Sequence, residues 1–321
     1  MLYGITMGDS SGIGPEILLK SFRAGELRHP IVVFGDLEVL QYYNERLEYA
    51  VKLRKIVEPA QYEPDSLNVI DHAILRRDEV SPGKLSRKSG AAAREYVVRA
   101  TRATLAGDLS AMITLPMNKE ATQLSDPQFV GHTELIAELC GVKDVTIMLV
   151  SDQLIVTHVS THVSLATAIA QVKQQRISTI LRLTVDAVRN LKPHPRIAVA
   201  GLNPHAGENG LFGREEIDEI RPAVERARND GLPVEGPFPA DTLFYLAVRR
   251  KKFDAVVCMY HDQGHVPLKL LDFEGGVNVA LGLPIVRTSV DHGTAFDIAG
   301  RGIASTTSLV RALELAVNLS R

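Results

Sequence analysis

The stretch MYHDQGHVPLK (residues 259–269) sets His261 and His265 four apart, with Asp262 beside the first and Lys269 four past the second. On a continuous helix this spacing would aim both imidazoles at one metal ion, as in a zinc protease. Three details argue against that. The protease base is a glutamate after the first histidine, and Asp262 has a shorter reach. Gly264 weakens a helix, and Pro267 disfavours its continuation. The stretch is therefore read as a strand end and loop, with His265 a neighbour or a structural residue rather than a ligand.

Among the ten histidines, four sit in richer settings. His162 follows a strand pattern in VSTHVSL, His205 lies in GLNPHAGENG, His261 follows AVVCMY, and His132 opens GHTELIAEL, where Thr133 suits a helix cap. Three neutral imidazoles converging at strand ends would bind a divalent ion and leave positions open for substrate oxygens, the mark of a catalytic metal. Set against this, a lone histidine is more often a surface or core residue, and the separations here are long. Lys269, Asn278 and Arg287 follow at spacings of nine. Two cations and an amide suit an anionic phosphate or carboxylate, or else serve as surface and helix-end partners.

Such residues need a frame. Strand patterns fall at 2–6, 31–34, 111–114, 145–150, 154–159, 196–200, 255–258 and 284–288. Helical patterns fall at 15–21, 86–106, 133–139, 177–191, 214–230 and 306–319. The alternation predicts an α/β fold with largely parallel strands. Polar clusters follow several strands, at 8–12, 116–119, 158–162 and 203–205, where open α/β sheets bind ligands. Neither G-x-G-x-x-G nor G-x-x-x-x-G-K-[ST] occurs. GDSSGIGPE (8–16) opens a helix with Pro15 in its first turn, so it is either an anion site or a tight turn that needs glycine.

The 321 residues suffice for two domains, and 45% apolar with 23% charged residues is ordinary globular composition. A formal charge of −2 offers no field for nucleic acid or a membrane surface. The first residues lack the apolar run of a signal peptide, and no run is long enough to span a bilayer. Cys140 and Cys258 form no CxxC pair and read as buried thiols in a reducing compartment. These features predict a cytoplasmic protein.

Taken in order, GDSSGIGPE, GHTE (131–134), GLNPHAGE (201–208), PADT (239–242), YHDQGH (260–265) and GVNVALGLPIVRTSVDHGTAFDIAG (276–300) resemble the 4-hydroxythreonine-4-phosphate dehydrogenase (PdxA) family along almost the whole chain. The resemblance implies an isocitrate/isopropylmalate dehydrogenase-like fold, with two α/β domains and an active-site cleft between them. The division is drawn at residues 1–115 with 285–321 for one domain and 116–284 for the other, the second carrying most metal and substrate residues. It also implies NAD, or NADP in its place, and one divalent ion (Zn, Mg, Co or Mn). His162, His205 and His261 match the family's metal ligands. His132, Thr133, Lys269, Asn278 and Arg287 match substrate contacts. His292, Gly293, Thr294, Ala295 and Asp297 match a cofactor loop, by likeness to isopropylmalate dehydrogenases. A homodimer with a site shared between subunits is implied in the same way.

The implied reaction is oxidation and decarboxylation of a 4-phosphorylated 3-hydroxy acid, with Asp241 and Lys269 the candidates for relaying a proton. The common family start reads T-P-G-D-P-A-G-I-G-P-E, whereas this chain has Met7, Ser10 and Ser11, and LDFEGG (271–276) is short. Met7 and QGHVPLKLL look closer to the branch that uses D-threonate or D-erythronate 4-phosphate, giving dihydroxyacetone phosphate. The amino acid substrate, 4-phosphohydroxy-L-threonine, would give 3-amino-2-oxopropyl phosphate. The alternatives are a cis-dihydrodiol dicarboxylate dehydrogenase, a metal-dependent hydrolase and a non-catalytic sugar-phosphate-binding protein.

Overall fold

Apolar runs become strands buried along their whole length at Tyr3–Thr6, Ile31–Gly35, Ala111–Thr114 and Ala255–Cys258. Runs without polar alternation suit parallel strands covered on both faces. The structure, a computed structural model, describes residues 1–320, so Arg321 lies outside the described residues. The chain forms two units, Met1–Lys143 with Leu283–Ser320, and Asp144–Gly282.

The first unit opens with β1 (Tyr3–Thr6), α1 (Gly14–Arg23), β2 (Ile31–Gly35), α2 (Leu37–Arg46), β3 (Leu53–Ile56) and β4 (Leu67–Asp71). It continues through α3 (Arg87–Leu105), β5 (Ala111–Thr114), α4 (Lys119–Gln123) and α5 (His132–Cys140). The second unit runs β6 (Thr146–Val150), β7 (Ile155–His158), α6 (Leu165–Gln171), α7 (Gln174–Leu191), β8 (Ile197–Ala200) and α8 (Arg221–Asn229). It ends with β9 (Val234–Phe238), α9 (Ala240–Val248), β10 (Ala255–Cys258), α10 (His261–Leu271) and β11 (Val277–Leu281). The chain then returns to the first unit as β12 (Arg287–Val290) and α11 (Thr307–Leu319).

In the first unit the strand order is β3-β4-β2-β1-β5-β12, all parallel. Their carboxyl ends therefore share one edge, which carries the segments after Thr6, Thr114 and Val290. Helix α3 is capped by Ser86, whose hydroxyl accepts from the Ser89 N–H. It buries Ala92, Ala93, Tyr96 and Val97 beside β1 and β2. Helix α11 buries Leu309, Ala312, Leu313 and Ala316 at the i, i+3, i+4, i+7 spacing of one helix face, against β5 and β12. Residues 116–143 group with this unit, whereas a division at 115 put them in the other, because α4 and α5 pack on α3.

In the second unit the order is β11-β6-β7-β10-β8-β9. β6 runs antiparallel to both β11 and β7, and the remaining pairs are parallel. Its core gathers Leu149, Val156, Ala198, Leu243, Val256 and Leu268. Each fully buried leucine or valine side chain of this core contributes roughly 1.5–3 kcal/mol.

One reading needs correction. Residues 261–271 form a helix, where the sequence was read as strand end and loop. Tertiary packing outweighs the local cost, because Gln263, Gly264, His265 and Leu268 are buried against β7 and β10. The helix expected over 214–230 is present and continuous over 215–229, with its Glu216–Ile220 turn in the π form and Pro222 just after that turn. Proline offers no N–H to the turn before it, so an altered turn ahead of Pro222 is expected. Among the described residues, no helix is long and apolar enough to cross a membrane.

Candidate active site

β7, β10 and β8 are neighbours and run parallel. A histidine follows each: His162 after His158, His261 after Cys258 and His205 after Ala200. Topology thus places three imidazoles on one sheet edge of the second unit. The rings of His162 and His261 approach to 5.6 Å between centroids. They border a pocket of about 490 Å³, lined also by Thr161, Leu165, Tyr260 and Asp262.

Behind His261 lies a pair that spacing alone assigned to no chemistry. One helical turn stacks His265 on His261, with centroids 3.6 Å apart and planes 11° from parallel. The fully buried His158 closes on His265 at 3.2 Å from Nε2 to Nδ1. The backbone carbonyl of Ile147, 3.3 Å from His158 Nδ1, can only accept, so Nδ1 carries the proton and Nε2 accepts. His265 Nδ1–H then donates to His158 Nε2 and to the His261 carbonyl at 3.1 Å. Burial holds His158 down to about 4 and His265 down to about 3, so both stay neutral at pH 7. His261 Nδ1 lies 2.7 Å from Asp262 Oδ1. A carboxylate there accepts the Nδ1 proton and leaves Nε2 as the ring's lone-pair donor, the usual arrangement behind a metal-binding imidazole.

His205 sits on a loop with left-handed backbone from His205 to Asn209, φ running from 42° to 79°. Four of those five residues are not glycine, so the conformation is strained and must be held by its surroundings. The buried carboxylate of Glu216 does so. Its Oε1 accepts from the N–H groups of Leu202 (2.7 Å) and Asn203 (2.8 Å), and its Oε2 accepts from Asn203 Nδ2 (2.9 Å).

In the first unit, β12 begins at Arg287, a guanidinium 3% exposed. Its Nε and Nη2 donate to Thr114 Oγ1 at 3.2 and 2.6 Å, at the end of β5. Burial lowers its pKa to about 10, which leaves it charged, and Glu134 opposes the shift. His132, at the start of α5, is lowered to about 3 by burial and then by the charges of Arg287 and Lys119. Its Nε2 is buried without a partner. A fixed cation beside a neutral imidazole with an unmatched nitrogen has the chemistry to take an anionic, hydrogen-bonding ligand. Thr133 follows on the same helix turn.

In the glycine-rich start, three N–H groups are spent inside the chain. Ser11 N donates to Asp9 Oδ1, Gly12 N to the Asp9 carbonyl and Ile13 N to the Thr294 carbonyl. A Cβ on Gly12 would lie 2.9 Å from Thr294, so glycine is needed for close approach to the 292–297 segment. In that segment His292 Nδ1 lies 3.0 Å from the Gly293 carbonyl, Nε2 is buried without a partner, and a Cβ on Gly293 would meet nothing.

A family model described as "Pyridoxal phosphate biosynthetic protein PdxA" matches residues 26–316. The chain belongs to the PdxA family. It is 47% identical to the D-threonate 4-phosphate dehydrogenase of Cupriavidus necator, covering 99% of this chain and 96% of that one. It is 42% identical to the 4-hydroxythreonine-4-phosphate dehydrogenase of Trichlorobacter lovleyi, covering 98% and 96%. The crystal structure of a 4-hydroxythreonine-4-phosphate dehydrogenase from Klebsiella pneumoniae superposes with a TM-score of 0.90 at 43% identity, covering 100% and 99%. The fold extends to a β-decarboxylating dehydrogenase at 13% identity.

For this PdxA-family chain, the histidine set suits a divalent ion in kind, since His261 offers Nε2 and His162 lies beside it. Among the described residues, no three His, Cys, Asp or Glu side chains stand close enough to hold a metal. Lys269 is half-buried in the last turn of α10, its Nζ 5.7 Å from the Phe273 ring centre. Asn278 on β11 has a buried Oδ1 without a partner. Asp241 is exposed in the first turn of α9, its Oδ1 accepting from Thr242 N at 3.0 Å. Ala295 has a φ of +45°, and Asp297 is exposed. Sequence reasoning passed over His158, Glu216, Lys119 and Thr114. Only Lys119 and His158 left a signal, both lying in polar clusters just beyond strands.

Proposed function

We propose that this chain is an NAD-linked, divalent-metal-dependent dehydrogenase that oxidises and decarboxylates a 4-phosphorylated 3-hydroxy acid of the D-threonate 4-phosphate type. The observation that carries this reading is the buried Arg287 guanidinium beside the neutral His132. A permanently charged group held out of water needs a permanently anionic partner to justify its desolvation. Support for the hydroxy acid over the amino acid comes from the 47% identity to a D-threonate 4-phosphate dehydrogenase.

On this reading Arg287, His132, Thr133, Lys269 and Asn278 bind and orient the substrate. His162, His205 and His261 hold the ion, which supplies Lewis acidity toward the substrate oxygens. Residues 292–297 seat NAD, the hydride acceptor. Asp241 or Lys269 takes the proton of the hydroxyl being oxidised and returns one to the carbon that loses carbon dioxide. Asp262, His265 and His158 keep His261 in one orientation and tautomer. A second copy of the chain completes the site.

The test is a panel of D-threonate 4-phosphate, D-erythronate 4-phosphate, 4-phosphohydroxy-L-threonine and a cis-dihydrodiol dicarboxylate, each with NAD and added Zn, Co, Mn or Mg. NADH and carbon dioxide should form in equal amounts from the first two acids, and a chelator should abolish both. Turnover of the dihydrodiol alone would overturn the reading.

A further inference from the structure

Glu16 is a carboxylate with no solvent exposure in the first turn of α1. Both of its oxygens are committed to one distant segment. Oε2 accepts from Gly300 N at 3.0 Å and Oε1 from Ala304 N at 2.9 Å. One turn on, Lys20 Nζ donates to the carbonyls of Ala304 (2.8 Å) and Gly302 (3.3 Å). Arg46 Nε on α2 donates to the Gly300 carbonyl at 3.3 Å. At its other end the segment is held by Ile13 N, which donates to Thr294 O at 3.0 Å, and by the contact that Gly12 permits. Residues 292–304 contain no helix or strand, and these bonds from Ile13, α1 and α2 tie them to the start of the chain.

Burying a carboxylate costs several kcal/mol unless its lone pairs are satisfied, and here backbone N–H groups satisfy them. We propose that Glu16 and Lys20 are positioning residues for the cofactor: they clamp 300–304 so that His292, Thr294, Ala295 and Asp297 are presented in a binding-ready course. The GDSSGIGPE motif thereby serves the cofactor segment from behind. This rests on the reading that 292–297 seat NAD.

The experiment measures NAD and NADH affinity by fluorescence titration of the purified full chain, with substrate KM and kcat recorded alongside. Glu16→Gln presents an amide N–H to a backbone N–H, and Lys20→Met removes the two carbonyl contacts. Each should weaken NADH binding about ten-fold or more, while substrate KM changes less than two-fold, because Arg287 and His132 rest on other elements. Kcat at saturating NAD should largely recover. If Glu16→Gln fails to fold, Lys20→Met carries the test alone. Asp297→Asn and His292→Ala separate the two layers. If these weaken NADH binding and the clamp variants do not, the positioning role is overturned. If none of the four changes it, the cofactor assignment falls as well.

Discussion

At the scale of single residues, the first unit stores histidines in the form that acid attacks. His132 is neutral in the fold, lowered to about 3 by burial and by Arg287 and Lys119, and His72 is lowered by burial. In the unfolded chain both take up a proton near pH 6.5. Their contribution is therefore complete above pH 6.5 and is lost as pH falls from there toward the folded value, at up to about 1.4 kcal/mol per pH unit for each. Asp9 works in the opposite sense, because burial raises its carboxyl and protonation relieves it. The lowered carboxylates Asp71 and Asp254 begin to matter only below the ordinary aspartate range. Between pH 6.5 and about 4 the histidines should dominate. Denaturant midpoints of the parent should drop from pH 7.5 to pH 5, and His132→Asn should flatten that drop. An equal drop in the variant would assign the acid sensitivity elsewhere.

At the scale of elements, α10 sets helix propensity against packing. A Cβ added at Gly264 would lie 2.5 Å from His158 Nε2 and 2.9 Å from Cys258 Sγ. Propensity alone says Gly264→Ala stabilises a helix by about 1 kcal/mol. Overpacking a buried contact costs about 1–3 kcal/mol, and the clash here is with a buried ring held at both nitrogens. The variant should be the less stable one in denaturant unfolding, with the His158–His265 hydrogen bond lost from the imidazole proton spectrum. A more stable variant would mean that the ring moves freely. The same helix shows where sequence reading stops. Strands such as Ala111–Thr114 were legible because an unbroken apolar run has one use in a parallel sheet. Helix α10 was not, since Gly264 and Pro267 argue locally against it and its warrant is a histidine 106 residues earlier in the chain. Edge strand β3, of which only Ile56 is buried, left no apolar run to detect. Glu216 was illegible for a related reason: it acts on backbone groups, which carry no side-chain signature.

At the scale of the whole molecule, the second unit displays apolar side chains on the elements that carry its histidines. Val163 and Leu165 follow His162 at 42% and 59% exposed, and Val266, Leu270 and Phe273 follow His261 at 59%, 86% and 74%. Scattered apolar residues are normal on a surface, but this many on segments flanking a polar site would suit a contact surface. Two copies of the chain, each presenting His162 and His261 among such residues, offer each other apolar cover and further donors at once. A specific interface needs on the order of 1,000 Å² or more, to which several exposed large side chains per copy would contribute. Sedimentation should therefore give twice the chain mass of 35.1 kDa. Leu270→Asp with Phe273→Asp should yield a folded monomer that no longer retains the divalent ion on gel filtration and no longer reduces NAD. Neither residue is a donor, so loss of the metal together with loss of the dimer is the outcome a shared site predicts. A monomeric parent that keeps its metal would show instead that one chain closes the site by moving His205 toward His162 and His261.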